Sequence, residues 1–393
     1  MNRLKKIAAA ALAAVVLAGT TACSGDVSWA AKKGDVTVAP GVYIFSIFNA
    51  YSSAAYQDGI DLSKSILEQQ IDGKDANEWM LEEAANSIKR IFLINDKMNE
   101  LGLTMTDEEL EAASKAGDNV WSSYSSLFSS HGISRASFDL LYGEIPAKNR
   151  KIFKALYGKG GSKEVPEADM KKYIEENYTD FSMIGASTYK TNSDSSTSSG
   201  TPDTTNLTDE EKKELQQTLH GSMTMQEAAD AYKEYAELDT EQLISNTVNL
   251  ETAGFPDELN EELGDMEAGE VRFVDLSDSV GLYLVLRKGD IAEKSAEYLE
   301  DEDRYFEILS NIKGEEYDNA MKEEVAAYTG VTFNQAVIDK YQPSIFNDAF
   351  QPVSSTAASS SAGSTASSSG DASSQASSAA SSAPEESSAS SGE

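Results

Sequence analysis

The chain has 393 residues but one cysteine, Cys23, and two histidines, His131 and His220. A single thiol excludes an intramolecular disulfide and any zinc site built on several cysteines. There is no His-Glu-x-x-His, no Gly-x-Ser-x-Gly and no Walker loop, and no spacing fits a calcium loop of the EF-hand type. No metal and no cofactor is therefore expected. Basic charge is scarce as well: 32 Lys and Arg stand against 66 Asp and Glu, a net charge of −34. Segment 257–303 alone carries 16 acidic residues and four basic ones. Such a surface repels phosphate, so nucleic acid is not an expected partner. The acidity suits solubility and favours basic segments or cations as contacts.

Long apolar runs are missing too, with one short exception. Arg3, Lys5 and Lys6 precede an apolar run from Ile7 to Gly19. It falls short of the roughly 20 apolar residues that span a bilayer. It has the proportions of a signal-peptide core. The run closes on Thr20-Thr21-Ala22-Cys23-Ser24. Small residues before a cysteine here resemble a lipobox, although Thr20 stands where Leu is usual. The resemblance implies a signal peptide over 1–22, cleavage before Cys23, a lipid anchor on its thiol, and a place on the outer face of the cell membrane.

At the other end, 351–393 reads as a disordered tail. From Ser354 to Glu393, 29 of 40 residues are Ser or Ala. A segment without aromatics or large aliphatics cannot bury enough surface to offset its ordering entropy. Thr191 to Asn206 has a similar composition and reads as a loop or insertion.

Between these ends, residues 27–178 carry mainly helical signals. Val36-Thr37-Val38 is strand-like, and Pro40 opens an apolar helix through Tyr43, Ile44, Ile47, Phe48 and Tyr51. Asp75 with Glu78, and Thr106 with Glu109, are spaced as capping boxes. Leu81, Ala84, Ala85, Ile88, Ile91, Phe92 and Met98 form the stripe of a helix with one buried face, ended by Gly102. Gly132-Ile133-Ser134 breaks the chain and starts another helix, and Pro166 sits where a first-turn proline belongs, before a helix that ends near Tyr178. After that the pattern mixes. Phe181 to Tyr189, Glu270 to Val274 and Val280 to Arg287 read as strands, the last with Val280, Leu282, Leu284 and Leu286 on one side. Thr208/Glu211, Thr224/Glu227 and Pro256 start helices between them. Helix returns from Tyr305 to Tyr328. The fold class is α+β, with an α+β segment set inside a helical domain.

Four stretches carry a family resemblance: AAKKGDVTVAPGVYIF, ANSIKRIFLINDKMNELGLTMTDEELEAA, KEVPEADMKKYIEENY and FPDELNEELGDMEAGEVRFVDLSDSVGLYLVLRKGD. In this order they resemble the PrsA/SurA group of extracytoplasmic chaperones. The resemblance implies a helical peptide-binding domain from 23–178 and 293–350, interrupted over 179–292 by a domain similar to parvulin prolyl isomerases. The implied partners are unfolded or newly exported proteins, and the membrane through the N-terminal lipid. Tyr43, Phe48, Trp79, Phe92 and Trp121 are then candidates for peptide binding.

The resemblance also locates the chemistry. Active parvulins frame their pocket with histidines on the first and last strands. Here Phe181 to Gly185 contains none, and Tyr283 occupies the last strand's histidine position. Neither His131 nor His220 falls on a pocket strand. Phe255 and Leu259 fall where the family holds the proline ring. X-Pro isomerisation has a barrier of about 20 kcal/mol, lowered by donors placed around the twisted amide. Losing those donors implies an isomerase that is weak or lost. The expected function is that of a membrane-anchored chaperone or foldase. An active parvulin-type isomerase and a solute-binding lipoprotein are the alternatives.

Overall fold

The computed structural model describes residues 27–196, 202–220, 224–236 and 242–350. Cys23, the segment 1–22 expected to be a signal peptide and the Ser/Ala-rich segment 351–393 lie outside the described residues. The chain opens with β1 (Ala31–Lys33), β2 (Val36–Val38) and α1 (Pro40–Ala54). A small hairpin of β3 (Gln70–Ile71) and β4 (Lys74–Asp75) leads into the long α2 (Ala76–Glu100). Then come α3 (Asp107–Lys115), α4 (Asp118–Ser130), α5 (Arg135–Asp139), a π-helical turn (Leu140–Glu144), α6 (Ile145–Tyr157) and α7 (Glu167–Asn177). There follow β5 (Tyr178–Ser187), β6 (Tyr189–Ser196), β7 (Pro202–Asn206), α8 (Asp209–His220), α9 (Met225–Tyr235), β8 (Leu243–Asn249), α10 (Asp257–Asp265), β9 (Val271–Leu276), β10 (Leu282–Lys288) and α11 (Ile291–Tyr298). The chain closes with α12 (Glu302–Ala327), β11 (Thr332–Phe333), α13 (Gln335–Lys340) and a 3-10 turn (Pro343–Phe346). No helix among the described residues is long and apolar enough to cross a membrane.

The elements gather into two compact units. One is made of residues up to Glu164 and from Glu315 onward; the other runs from Val165 to Gly314. The second unit is thus wider than 179–292, because α7 and α11 pack on each other and on β5.

The first unit is helical. Its centre is α1, which buries residues all around its circumference, among them Val42, Tyr43, Ile44, Phe45, Ile47 and Tyr51. A helix apolar on every side belongs inside. Proline at its first position fits there because that N–H has no helical partner. Against α1 lies α2, whose Met80, Ala84, Ile88, Ile91 and Met98 follow the 3–4 spacing. Asp75 caps α2 by accepting from the N–H groups of Asn77 and Glu78. The reciprocal bond of a capping box is made at α3, where Thr106 and Glu109 satisfy each other's backbone N–H; at α2 the cap is the Asp75 side chain alone. The chain's far end returns to finish this unit. Strand β11 pairs with β1, Ala31 opposite Phe333, and Asn334 donates to the carbonyls of Ala30 and Trp29, both at 2.8 Å. Further on, Lys33 Nζ lies 2.5 Å from Asp96 and 2.6 Å from the hydroxyl of Tyr328, which itself donates to Asp96 at 2.5 Å.

The second unit is a four-stranded antiparallel sheet in the order β8-β5-β10-β9. Successive residues of β10 point to opposite faces, and both faces are covered. Tyr283 and Val285 join Ile184, Ala186, Leu215, Leu219 and Ala228 under α8 and α9. Leu284 and Leu286 join Phe181, Leu259, Leu263, Val274 and Leu276 under α10. Double coverage explains the nearly unbroken apolar run Leu282–Leu286, which the alternating reading assigned to one buried side. Val280 drops out of that strand and is exposed in the turn before it. Thr191 to Asn206 is not an open loop: β6 and β7 pair antiparallel over part of it. Its Thr residues suit a strand by branching at Cβ, a preference that the polar composition masks. Pro166 and Pro256 occupy the N-cap positions of α7 and α10 rather than the first turn.

Candidate functional site

The sequence candidates separate into two places and two kinds. In the second unit, Tyr283 is 2 % exposed and its ring lies 5.7 Å from that of Phe273. Leu259 is buried in the core of the opposite sheet face, and Phe255 stands half-buried beside it, edge-on to Phe181 at 5.8 Å. The fold therefore does not bring Tyr283 together with Phe255 and Leu259, because one residue's step along β10 reverses the side chain. Leu259 and Tyr283 are packing residues. The depression near α10, about 410 Å³, is lined by Glu258, Glu261, Glu262, Asp275, Asp278 and Ser279 with Phe273, Val274 and Leu276. Carboxylates accept hydrogen bonds, and among these side chains the Ser279 hydroxyl is the donor. One of the carboxylates, Glu262, is held by Arg272 at 2.6 Å.

In the first unit the picture differs. Tyr43 and Phe92 are 1 % and 3 % exposed, so they are packed in the core. Burial pushes the Tyr43 phenol well above its ordinary range. Its hydroxyl is buried with no hydrogen-bond partner among the described residues. Trp79 is half-buried on the first turns of α2 and stands apart from the ring cluster described next.

Phe48 and Trp121 belong to an aromatic cluster that the sequence only partly announced. Helix α4 carries Trp121, Tyr124 and Phe128 at helical spacing. Tyr124 stacks on Phe128 at 5.7 Å, and Trp121 lies 5.9 Å from Phe128 and 5.4 Å from Phe138. From α1, Phe45 and Phe48 meet Phe128 edge-on at 5.3 and 5.2 Å. Beyond Phe138, Tyr142 of the π-helical turn stacks at 4.8 Å. Each such pair adds about 0.5–1.5 kcal/mol to its area burial, which makes the inner part of the cluster a rigid platform. The outer part faces water: Tyr124 is 47 % and Tyr142 41 % exposed, while Phe48 and Trp121 are half-buried.

Two local features set this geometry. Gly117, before α4, lets Phe138 approach the backbone; a Cβ there would stand 2.5 Å from the Phe138 ring. Arg135 lies over Trp121 at 5.7 Å and over Phe138 at 5.9 Å. Its charge is fixed by Asp118 at 2.7 Å and Asp139 at 2.6 Å, so the guanidinium braces the rings. Tyr124 and Tyr142 escaped the sequence reading because the aromatic density of 121–142 comes from three elements that meet only in space.

No family model matches the chain, and no curated protein matches it. Among solved structures it is similar to PrsA from Bacillus subtilis, with 15 % identity and a TM-score of 0.29, over 70 % of this chain and 92 % of that one. It is also similar to the foldase protein PrsA from Streptococcus pneumoniae, with 12 % identity and a TM-score of 0.33, over 70 % of this chain and 97 % of that one.

Proposed function

We propose that this chain is a chaperone lipid-anchored on the extracytoplasmic face of the cell membrane that holds unfolded exported proteins, and that its α+β unit has little or no isomerase activity. The observation that carries the proposal is the partly exposed aromatic cluster of the first unit. Aromatic rings presented on a braced platform offer an unfolded segment large apolar contact at low entropic cost. The segment order that resembles PrsA/SurA chaperones, and the signal-peptide-like segment 1–22 before Cys23, support the same reading. The buried Tyr283 and the acidic depression near α10 support the loss of catalysis. The test is aggregation of a chemically unfolded client diluted into buffer, followed by light scattering, beside a proline-tetrapeptide isomerisation assay. The proposal expects near-stoichiometric suppression of aggregation and an isomerisation rate close to the uncatalysed one. A robust rate with no suppression of aggregation contradicts it.

A further inference from the structure

The outer aromatic face is covered in part by the chain's own end. After the 3-10 turn, the N–H groups of Ala349 and Phe350 donate to the carbonyl of Phe346 at 2.9 and 3.2 Å. The second bond spans four residues, so Phe346 and Phe350 project from one side of a helical turn. Both rings enter the cluster. Phe346 meets Phe48 edge-on at 5.3 Å; Phe350 lies 5.4 Å from Phe48 and stacks on Tyr51 at 4.4 Å, with 10° between the planes. Phe346 is fully buried and Phe350 half-buried. Polar ties are few. Tyr51 donates to Asn347 Oδ1 at 3.3 Å, and His131 Nε2 faces the carbonyl of Ile345 at 3.0 Å. His131 also packs its ring 4.7 Å from Phe346.

Resting on the chaperone reading above, we infer that residues Gln342–Phe350 form a displaceable strap, an intramolecular competitor for the client site. The strap shows what the face accepts: two aromatic rings one helical turn apart, one inserted beside Phe48 and one laid flat on Tyr51. A client segment with that spacing takes the same place when the strap lifts. The strap is tethered to the unit from its N-terminal side through α13, and the 43 residues after Phe350 contain no aromatic residue that could fill the face in its stead. A site closed most of the time binds its ligand more weakly by the fraction that is open. Weakening the strap therefore strengthens client binding.

The experiment uses the full chain and a chemically unfolded client, with the chain concentration for half-suppression of aggregation as readout. Phe350→Ala removes the stack on Tyr51 and lowers that concentration by about two- to tenfold. A synthetic peptide of residues 342–350 raises it for the unaltered chain, and the same peptide with both phenylalanines replaced by serine does not. If the unaltered chain suppresses aggregation but neither Phe350→Ala nor the peptide changes the half-suppression concentration, the strap is refuted while the chaperone reading stands. If the chain suppresses nothing, both fall. Circular dichroism establishes that Phe350→Ala is folded; should it not be, the peptide arm decides alone.

Discussion

Tyr283 separates packing from catalysis most sharply. Its ring is 2 % exposed and packed among Ile184, Ala186, Leu215, Leu219, Val285 and Phe273. Tyr283→Ala leaves a ring-sized void between the sheet and α8–α9, and truncations of this kind cost about 3–5 kcal/mol. That is a large part of the roughly 5–15 kcal/mol that holds a folded chain. Tyr283→Phe keeps the ring and removes a hydroxyl, a change of about 1 kcal/mol or less. The chain offers a convenient assay. Trp29, Trp79 and Trp121 are its only tryptophans, and all three belong to the first unit. In a urea titration, tryptophan fluorescence follows that unit, whereas far-UV ellipticity follows both. Tyr283→Ala shifts an ellipticity transition to lower urea and leaves the fluorescence transition in place. Tyr283→Phe shifts neither and leaves the peptide isomerisation rate unchanged. The reasoning is refuted if Tyr283→Ala costs less than about 1 kcal/mol, or if Tyr283→Phe abolishes a robust isomerisation rate without touching stability.

Other outcomes follow from the same structure. Tyr43→Phe removes a buried hydroxyl that has no partner, so chemical unfolding finds the first unit unchanged or more stable, by up to about 1 kcal/mol. Gly117→Ala drives a methyl group into the Phe138 ring and costs about 1–3 kcal/mol, read as a lower midpoint of tryptophan fluorescence. Two carboxyls give opposite pH dependences. Burial raises Asp96, but the bonds from Lys33 and Tyr328 outweigh it and the net pKa lies below the ordinary value. Its contribution is present above the unfolded carboxyl's pKa and is lost as pH falls through the lower folded one; Asp96→Asn abolishes that acid-side slope, and the loss at neutral pH stays within about 1 kcal/mol for so exposed a pair. Glu83 is raised, chiefly by burial. Its contribution is present below the unfolded pKa and is lost as pH rises through the folded one, so Glu83→Gln stabilises the protein at neutral pH in thermal unfolding. Finally, the hydroxyl of Tyr157 donates to Glu316 at 3.0 Å and accepts from Lys163 at 3.2 Å, which places the two ends of the interruption close together. Excising 165–314 with a short linker leaves a soluble, folded helical unit by circular dichroism and size exclusion. The narrower cut at 179–292 exposes the faces of α7 and α11 that pack on β5, and yields a less soluble product.

What the sequence disclosed was local. The capping boxes at Thr106/Glu109 and Thr224/Glu227 form as spaced, because their bonds close within three residues. Pro40 starts α1 for the same kind of reason. Burial was less legible. Tyr43 and Phe48 share α1, yet of the two only Phe48 reaches the surface, since the first turns of α1 are buried on every side and exposed polar residues, Asn49 and Ser53, come only towards its end. Pairings across the chain were hidden as well: β11 finds β1 some 300 residues away, through two-residue contacts too short for any pattern. Strand β8 alternates little, because its first four residues are exposed at the sheet edge. The aromatic site depended on such long-range meetings. Its residues come from α1, α4, α5, the π-helical turn and the last nine residues before the tail.

The most direct test of where a client is held is site-specific photo-crosslinking. A photoreactive phenylalanine analogue replaces Tyr124, Tyr142 or, in the second unit, Ile244, which is 49 % exposed. Each full-length variant is mixed with an unfolded client and irradiated. The account predicts strong client adducts from positions 124 and 142 and little from 244, with the adducts at 124 reduced by an excess of the 342–350 peptide. Adducts chiefly from 244, with none from 124 or 142, would place client binding on the α+β unit and contradict the account.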